Sequence, residues 1–178
     1  MKFKKLIKLF IKCKLNFHQV PQKKIILFDC ENIKNIKKLF LKKEYFILSN
    51  RYENLKIIYL NWSLFKFFLN NYNYKKSLKI NYLNSLISVI NPKLIITNID
   101  NSRDFHILSK LLYKKICCAA VQMANRGDIL YNPISYTKKF FIPNYFCFSE
   151  YQNKLFNKKQ AVVNKFYPIG SLTSAFAI

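Results

Sequence analysis

Short apolar runs of strand length alternate along the chain with longer amphipathic runs of helical length. Several of the short runs are apolar throughout, which is typical of strands that are buried on both faces of a sheet. We predict strands over residues 24–29, 45–48, 55–60, 94–97, 116–121 and 145–149, and a final extended segment over 161–169. We predict helices over residues 33–42, 62–69, 78–90, 102–113 and 150–157. Asn91 and Pro92 should end the third of these helices.

This alternation predicts an α/β fold. Strands joined through helices imply right-handed crossovers and a mostly parallel sheet with helices on both faces. A length of 178 residues and a hydrophobic content of 51% suit one core, so we expect a single domain with a Rossmann-like open sheet. We assign residues 21–171 to this domain, residues 1–20 to a basic amphipathic segment and residues 172–178 to a short atypical tail.

Residues 1–20 carry apolar side chains at helical spacing among many lysines, which predicts a basic amphipathic helix. Anionic lipid headgroups would favour such a helix, while a helix packed on the domain would show the same pattern. Lysines interrupt the segment too often for a signal peptide, and no apolar run is long enough to span a membrane. We therefore expect a cytoplasmic protein, with peripheral contact at the inner face of the cytoplasmic membrane left open.

The formal net charge of +23 would suit a nucleic acid or an anionic membrane as partner. Almost all of the positive charge comes from lysine, with arginine only at positions 51, 103 and 126. Proteins that recognise specific phosphates or bases usually do so with arginine. Lysine, asparagine, isoleucine, phenylalanine and tyrosine are encoded by A/T-rich codons, so a biased genome explains much of the charge without a partner. The cysteines form no C-x-x-C pair and predict reduced core residues.

Gly127 and Gly170 are the only glycines, and both follow strand-like runs. We expect each to adopt a backbone conformation that other residues resist. Because they lie 43 positions apart, the chain contains neither a G-x-G-x-x-G dinucleotide loop nor a G-x-x-x-x-G-K-[ST] phosphate loop. The two histidines show no metal-ligand spacing and no nucleophile motif is present, so we expect no metal and no cofactor.

Polar side chains gather directly after the predicted strands, where open parallel sheets bind ligands. They are Asp29, Glu31, Asn32, Asn98, Asp100, Asn101, Arg103, Asp104, His106, Gln122, Asn125, Arg126, Asp128, Ser149 and Glu150. Asp100 or Asn101 would also serve to cap the helix over 102–113. Arg126 is placed to bind a carboxylate or phosphate, or else to pair with an aspartate of the chain.

Four sequence pieces carry a resemblance to a known family. They are NPKLIIT with IDNS (91–97 and 99–102), VQ with RGD (121–122 and 126–128), YFCFSEY (145–151) and IGS (169–171). In order and spacing they resemble the bacterial surface-carbohydrate biosynthesis proteins, which are similar to glycosyltransferases of the GT-B type. The resemblance rests mainly on residues 91–171, and Met123 and Ala124 stand where the family pattern has Asn-Gly.

The resemblance implies two Rossmann-like domains that face each other across a cleft. The N-terminal one would bind a sugar or lipid-linked acceptor, and the C-terminal one would bind a nucleotide-activated donor. This chain would be the N-terminal half of such a polysaccharide or lipopolysaccharide transferase, truncated and inactive alone. The catalytic base would be Asp100. The acceptor would contact Asn101, Gln122, Asn125, Arg126 and Asp128.

A second resemblance gives a different function. The sequence FDCEN over 28–32 also looks like the opening of PIN-like ribonuclease domains of the NYN type, and residues 99–105 echo their second acidic motif. Carboxylates would then gather around Mg²⁺ and activate water to cleave RNA, which the positive charge would hold. They would be Asp29, Asp100, Asp104 and Asp128. A non-catalytic remnant or a membrane-associated scaffold is the third alternative.

Overall fold

The computed structural model describes residues 13–30, 33–50, 55–123, 141–152, 154 and 162–175. The strands in these ranges are β1 (Lys14–Asn16), β2 (Ile25–Phe28), β3 (Tyr45–Leu48), β4 (Ile57–Tyr59), β5 (Leu94–Thr97), β6 (Cys117–Val121), β7 (Phe141–Cys147) and β8 (Val162–Pro168). The helices are α1 (Ile33–Lys38), α2 (Trp62–Asn70), α3 (Leu78–Ile90), α4 (Arg103–Leu112) and α5 (Leu172–Ala175).

Six of the strands form one sheet in the order β3-β2-β5-β6-β7-β8, and every pairing in it is parallel. The predicted α/β class, with an open Rossmann-like sheet, is therefore confirmed. The remaining strands, β1 and β4, pair with each other in a separate two-stranded parallel ribbon.

Both faces of the sheet are buried, because successive side chains of a strand point to opposite sides. In β2, Ile26 and Phe28 belong to the larger core, which α3 and α4 cover. Leu27 belongs to the smaller core on the other face, where Ile36 of α1 and Leu172 of α5 pack. This double burial explains why the strands read as continuous apolar runs.

Local hydrogen bonds fix the helix ends on the larger-core side. Ser77 caps α3 by accepting from the amide of Ile80, and Ser102 caps α4 by accepting from the amide of Phe105. The cap of α4 is thus Ser102 and not Asp100 or Asn101. Asn91 ends α3 in the left-handed conformation, with φ of +53°, which confirms the predicted stop.

The predicted N-terminal helix is wrong for residues 14–16, which form β1. The partner strand, β4, supplies backbone hydrogen bonds that outweigh the local helical pattern. Residues 1–12 lie outside the described part. The predicted helix over 33–42 ends at Lys38, and β7 begins at Phe141 rather than at residue 145.

The structure also bears on the predictions about the glycines, the cysteines and membrane-spanning segments. Gly170 has φ of +76°, which confirms its expected conformation, while Gly127 lies outside the described residues. All the cysteines are free thiols, but Cys117, at the start of β6, is exposed rather than part of a core. Within the described residues no helix is long and apolar enough to cross a membrane.

The first prediction concerns the centre of the sheet. Ile26→Ala should lower the free energy of unfolding by about 2–5 kcal/mol, because Ile26 is wholly buried and the substitution leaves a cavity. Ile47→Ala is the matched control in the neighbouring strand, where the side chain is 40% exposed, and it should change stability by less than about 1 kcal/mol. Urea unfolding measures both, and equal losses would contradict the assigned core.

Candidate functional site

The strand order reverses between β2 and β5. From β2 the chain runs outward to β3, then returns past β2 to β5 and continues to β6, β7 and β8. In open α/β sheets the crevice at such a reversal, outside the carboxyl ends of the strands, is the usual ligand site. Asp29 and Asn98 follow the two strands at this point, and both are buried.

The backbone at the end of β2 is strained. Asp29 has φ of +47°, a left-handed conformation that non-glycine residues seldom adopt, and its amide donates to the carbonyl of Leu48 at 2.8 Å. Such strain is found most often at functional sites. The chain therefore holds Asp29 in place through β3, the neighbouring strand.

Cys30 lies next to this turn, where burial disfavours the nucleophilic thiolate form. Its Sγ is 3.7 Å from the carbonyl oxygen of Ile96 in β5. Burial raises the pKa of Cys30 to about 12, with Asn98 opposing the rise and Asp29 adding to it. The thiol is therefore protonated at neutral pH and serves as a packed group between two strands.

A buried side-chain hydrogen bond holds Asp100 at this edge. It is only 4% exposed, and its Oδ2 accepts the hydroxyl of Tyr145 at 2.8 Å. Tyr145 belongs to β7 and is wholly buried. The hydrogen bond therefore joins the loop after β5 to a strand two positions away in the sheet.

His106 packs near Asp100 on the first turns of α4. Burial lowers the pKa of His106 to about 4, against the opposing effects of the Phe141 carbonyl and of Asp100. The imidazole is neutral at pH 7, and its Nδ1–H donates to the carbonyl of Phe141 at 3.2 Å, since a carbonyl can only accept. His106 thus anchors α4 to the start of β7.

Gln122 joins the carboxyl ends of two strands. Its side chain is buried, and its Oε1 accepts from the amide of Phe148 at 3.0 Å. The backbone amide of Gln122 donates to the carbonyl of Phe146 at 2.8 Å. Gln122 therefore fixes the end of β6 against the end of β7 and holds the edge in shape.

A second polar cluster lies where the ends of β3, α3 and α4 meet. The Oδ2 of Asp104 accepts from Asn50 Nδ2 at 2.7 Å and is 2.6 Å from the ammonium of Lys79. Neither Asn50 nor Lys79 is among the predicted site residues. An asparagine after a strand was a weak signal for Asn50, and Lys79 looked like any other surface lysine.

The structure brings only some of the predicted site residues together. Asp100 and Gln122 lie at the carboxyl edge, and the backbone places Asn101, which is exposed, directly after Asp100. Three predicted acceptor contacts fall outside the described residues, namely Asn125, Arg126 and Asp128. Glu31 and Asn32 also lie outside them.

Carboxylates do not converge as a metal site would require in the described part of the chain. No group of three or more histidine, cysteine, aspartate or glutamate side chains there could hold a metal ion. Asp104 is instead paired with Lys79. The described residues therefore do not form the Mg²⁺ site that the ribonuclease alternative requires. Asp128, one of its four carboxylates, lies outside the described residues.

The second prediction tests the hydrogen bond between Asp100 and Tyr145. Tyr145→Phe should lower the free energy of unfolding by about 1–3 kcal/mol, because a buried carboxylate loses a donor while the ring packing stays. Tyr113→Phe is the control, since that hydroxyl is on an exposed residue. Urea unfolding at pH 7 compares them, and an unchanged Tyr145→Phe would show that the bond adds nothing to stability.

The third prediction concerns pH. The pKa of His106 is below the unfolded value, so the unfolded state binds more protons between pH 6.5 and about 4. Stability should therefore fall on acidification through this window, by up to about 1.4 kcal/mol per pH unit from this group. His106→Gln should flatten the dependence, and His18→Gln, at an exposed histidine, is the control. Identical curves for both variants would contradict the assignment.

Comparison with known proteins adds no relative. A scan against protein-family models, a search of curated proteins and a search of solved structures found no match. The carboxyl edge of the sheet and the sequence motifs are therefore the features that bear on function.

Proposed function

We propose that the chain is the acceptor-side half of a surface-carbohydrate transferase, and that the carboxyl edge of its sheet binds a hydroxyl-bearing acceptor. The observation that carries this proposal is the carboxylate of Asp100, which Tyr145 holds at the edge beside the reversal of strand order. The four motif pieces between residues 91 and 171 support the same family of reactions.

Asp100 has the chemistry of a general base in this proposal. The acceptor oxygen forms a bond to the anomeric carbon of an activated sugar, the bond from that carbon to the leaving phosphate breaks, and the acceptor proton passes to the Asp100 carboxylate. Tyr145 donates to Oδ2 of that carboxylate and fixes its orientation. A fixed carboxylate does not need to reorient as the proton moves.

The neighbouring residues would bind and position the acceptor. Asn101 is exposed and follows Asp100 directly, so its amide can hydrogen-bond an acceptor hydroxyl. Gln122 acts as a positioning residue, because its side chain already holds the ends of β6 and β7 together. The resemblance adds Asn125, Arg126 and Asp128, in the segment after β6, as further acceptor contacts.

The activated donor would be held by a partner domain of the same kind, as the resemblance implies. Transfer at the inner face of the cytoplasmic membrane would give the chain access to a lipid-linked acceptor. Metal-dependent RNA cleavage remains the rival function, and it would require Asp29 and Asp100 to share Mg²⁺ with Asp128.

The fourth prediction tests the acceptor site by saturation-transfer difference NMR with a panel of monosaccharides and alditols as probes. We expect signals from hydroxyl-rich probes with the wild-type chain. Asp100→Asn and Asn101→Ala should each weaken binding by about tenfold, because each variant loses one hydrogen bond to the acceptor. The bond lost is charge-assisted in Asp100→Asn and neutral in Asn101→Ala. Asn70→Ala is the matched control, on an exposed asparagine at the end of α2.

Two outcomes would reject the proposal. Undiminished sugar signals in both Asp100→Asn and Asn101→Ala would remove the carboxyl edge as the acceptor site. Cleavage of an oligoribonucleotide that depends on Mg²⁺ and is abolished by Asp29→Asn would establish the ribonuclease alternative. Unfolding midpoints of each variant separate a loss of binding from a loss of fold.

A further inference from the structure

Helix α2 exposes four of its six apolar side chains. Its sequence is WSLFKFFLN, and Leu64 is its only buried residue. Trp62 is 77% exposed, and Phe65, Phe67 and Leu69 are also exposed. Solvent-facing helices normally present polar residues to water, so a helix that is apolar on its outer side indicates a binding surface.

The exposed apolar area continues beyond both ends of α2. Leu60 precedes the helix, and Tyr72 and Tyr74 follow it, all with exposed side chains. The rings of Trp62 and Phe65 pack against each other with centroids 5.7 Å apart. We define the α2 surface as the exposed apolar residues of this region: Leu60, Trp62, Phe65, Phe67, Leu69, Tyr72 and Tyr74.

The sequence around α2 carries charge of one sign. Residues 55–99 contain no aspartate and no glutamate. Exposed lysines lie in and beside the helix, namely Lys56, Lys66 and Lys75. The ammonium of Lys75 lies 5.8 Å from the centroid of the Tyr74 ring. An occupant of this surface must therefore offer both apolar area and negative charge.

The helix is held in place by its ends and by one buried side chain. Asn61 caps it, accepting from the amide of Leu64 at 2.9 Å and donating to the carbonyl of His18 at 3.1 Å. On its inner side α2 packs against α3. The apolar outer side is thus presented on a fixed frame instead of being folded into the core.

We propose that the α2 surface binds an anionic phospholipid membrane. Aromatic side chains with a polar edge, such as those of Trp62 and Tyr74, suit the boundary between headgroups and acyl chains. Lysines beside them attract lipid phosphates. A helix of nine residues is only about 13 Å long, so it lies in the plane of the interface and does not cross the bilayer.

Charge argues against a second copy of the chain as the occupant. Two copies would bring Lys56, Lys66 and Lys75 against the same lysines, with no carboxylate from residues 55–99 to pair them. Each copy also carries a net charge of +23, which repels self-association. The proposal does not depend on the transferase function.

The fifth prediction uses Trp62, the single tryptophan of the chain, as a reporter at the centre of the surface. The full chain is mixed with vesicles of equal parts phosphatidylglycerol and phosphatidylcholine, or of phosphatidylcholine alone. We expect a blue shift of the fluorescence and flotation with the anionic vesicles only. Phe65→Ser should weaken binding about tenfold or more, because an apolar ring no longer enters the lipid.

Matched variants separate the contributions. Leu41→Ser removes a side chain that is 60% exposed and lies beyond α1, outside the α2 surface, and should leave binding unchanged. Lys66→Glu should weaken binding to anionic vesicles, by about thirtyfold if each of the two charge units contributes roughly as one basic residue does near a membrane surface. Added salt should weaken the wild type and have less effect on Lys66→Glu.

Three results would overturn the proposal. One is the absence of any blue shift with anionic vesicles. Another is that Phe65→Ser binds anionic vesicles as tightly as the wild type, which would assign the membrane contact to another part of the chain such as residues 1–12. The third is a blue shift without vesicles that grows with protein concentration, which would identify a second copy as the occupant.

Discussion

Burial of β2 and β5 on both faces is the constraint on which the rest of the structure depends. Each of these strands has a neighbour on both sides, so helices cover both faces and every connection between parallel strands crosses over a face. The crossovers bring every carboxyl end to the same edge. Polar residues that are far apart in sequence, such as Asp29 and Gln122, therefore lie along one border of the sheet.

Side-chain hydrogen bonds stabilise the edge. Tyr145 binds Asp100 from a strand two positions away, and Gln122 fixes the ends of two neighbouring strands. A site that is ordered before it binds loses less conformational entropy when a ligand arrives. In the proposed acceptor site the same bonds would contribute to folding and to preorganisation, so substitutions at this edge must be judged by both stability and binding.

The sequence was informative where burial sets a local pattern and uninformative where distant residues meet. Apolar runs located β2 and β5, and the rule for parallel sheets placed Asp100 at the edge. No local pattern pointed to Tyr145 as its partner, since 45 positions separate them. The pairing of β1 with β4 was missed for the same reason, because a strand of three residues is specified mainly by its partner.

The ribbon of β1 and β4 also bears on how the protein opens. Each strand has only three residues and none of them is fully buried, so the ribbon should open at lower free energy than the six-stranded sheet. It encloses β2, α1 and β3 in sequence, and such long-range closure follows the folding of what it encloses. Through the bond between Asn61 and the His18 carbonyl, each local opening would also loosen the first turn of α2. Hydrogen exchange at these amides would then respond to whatever binds α2.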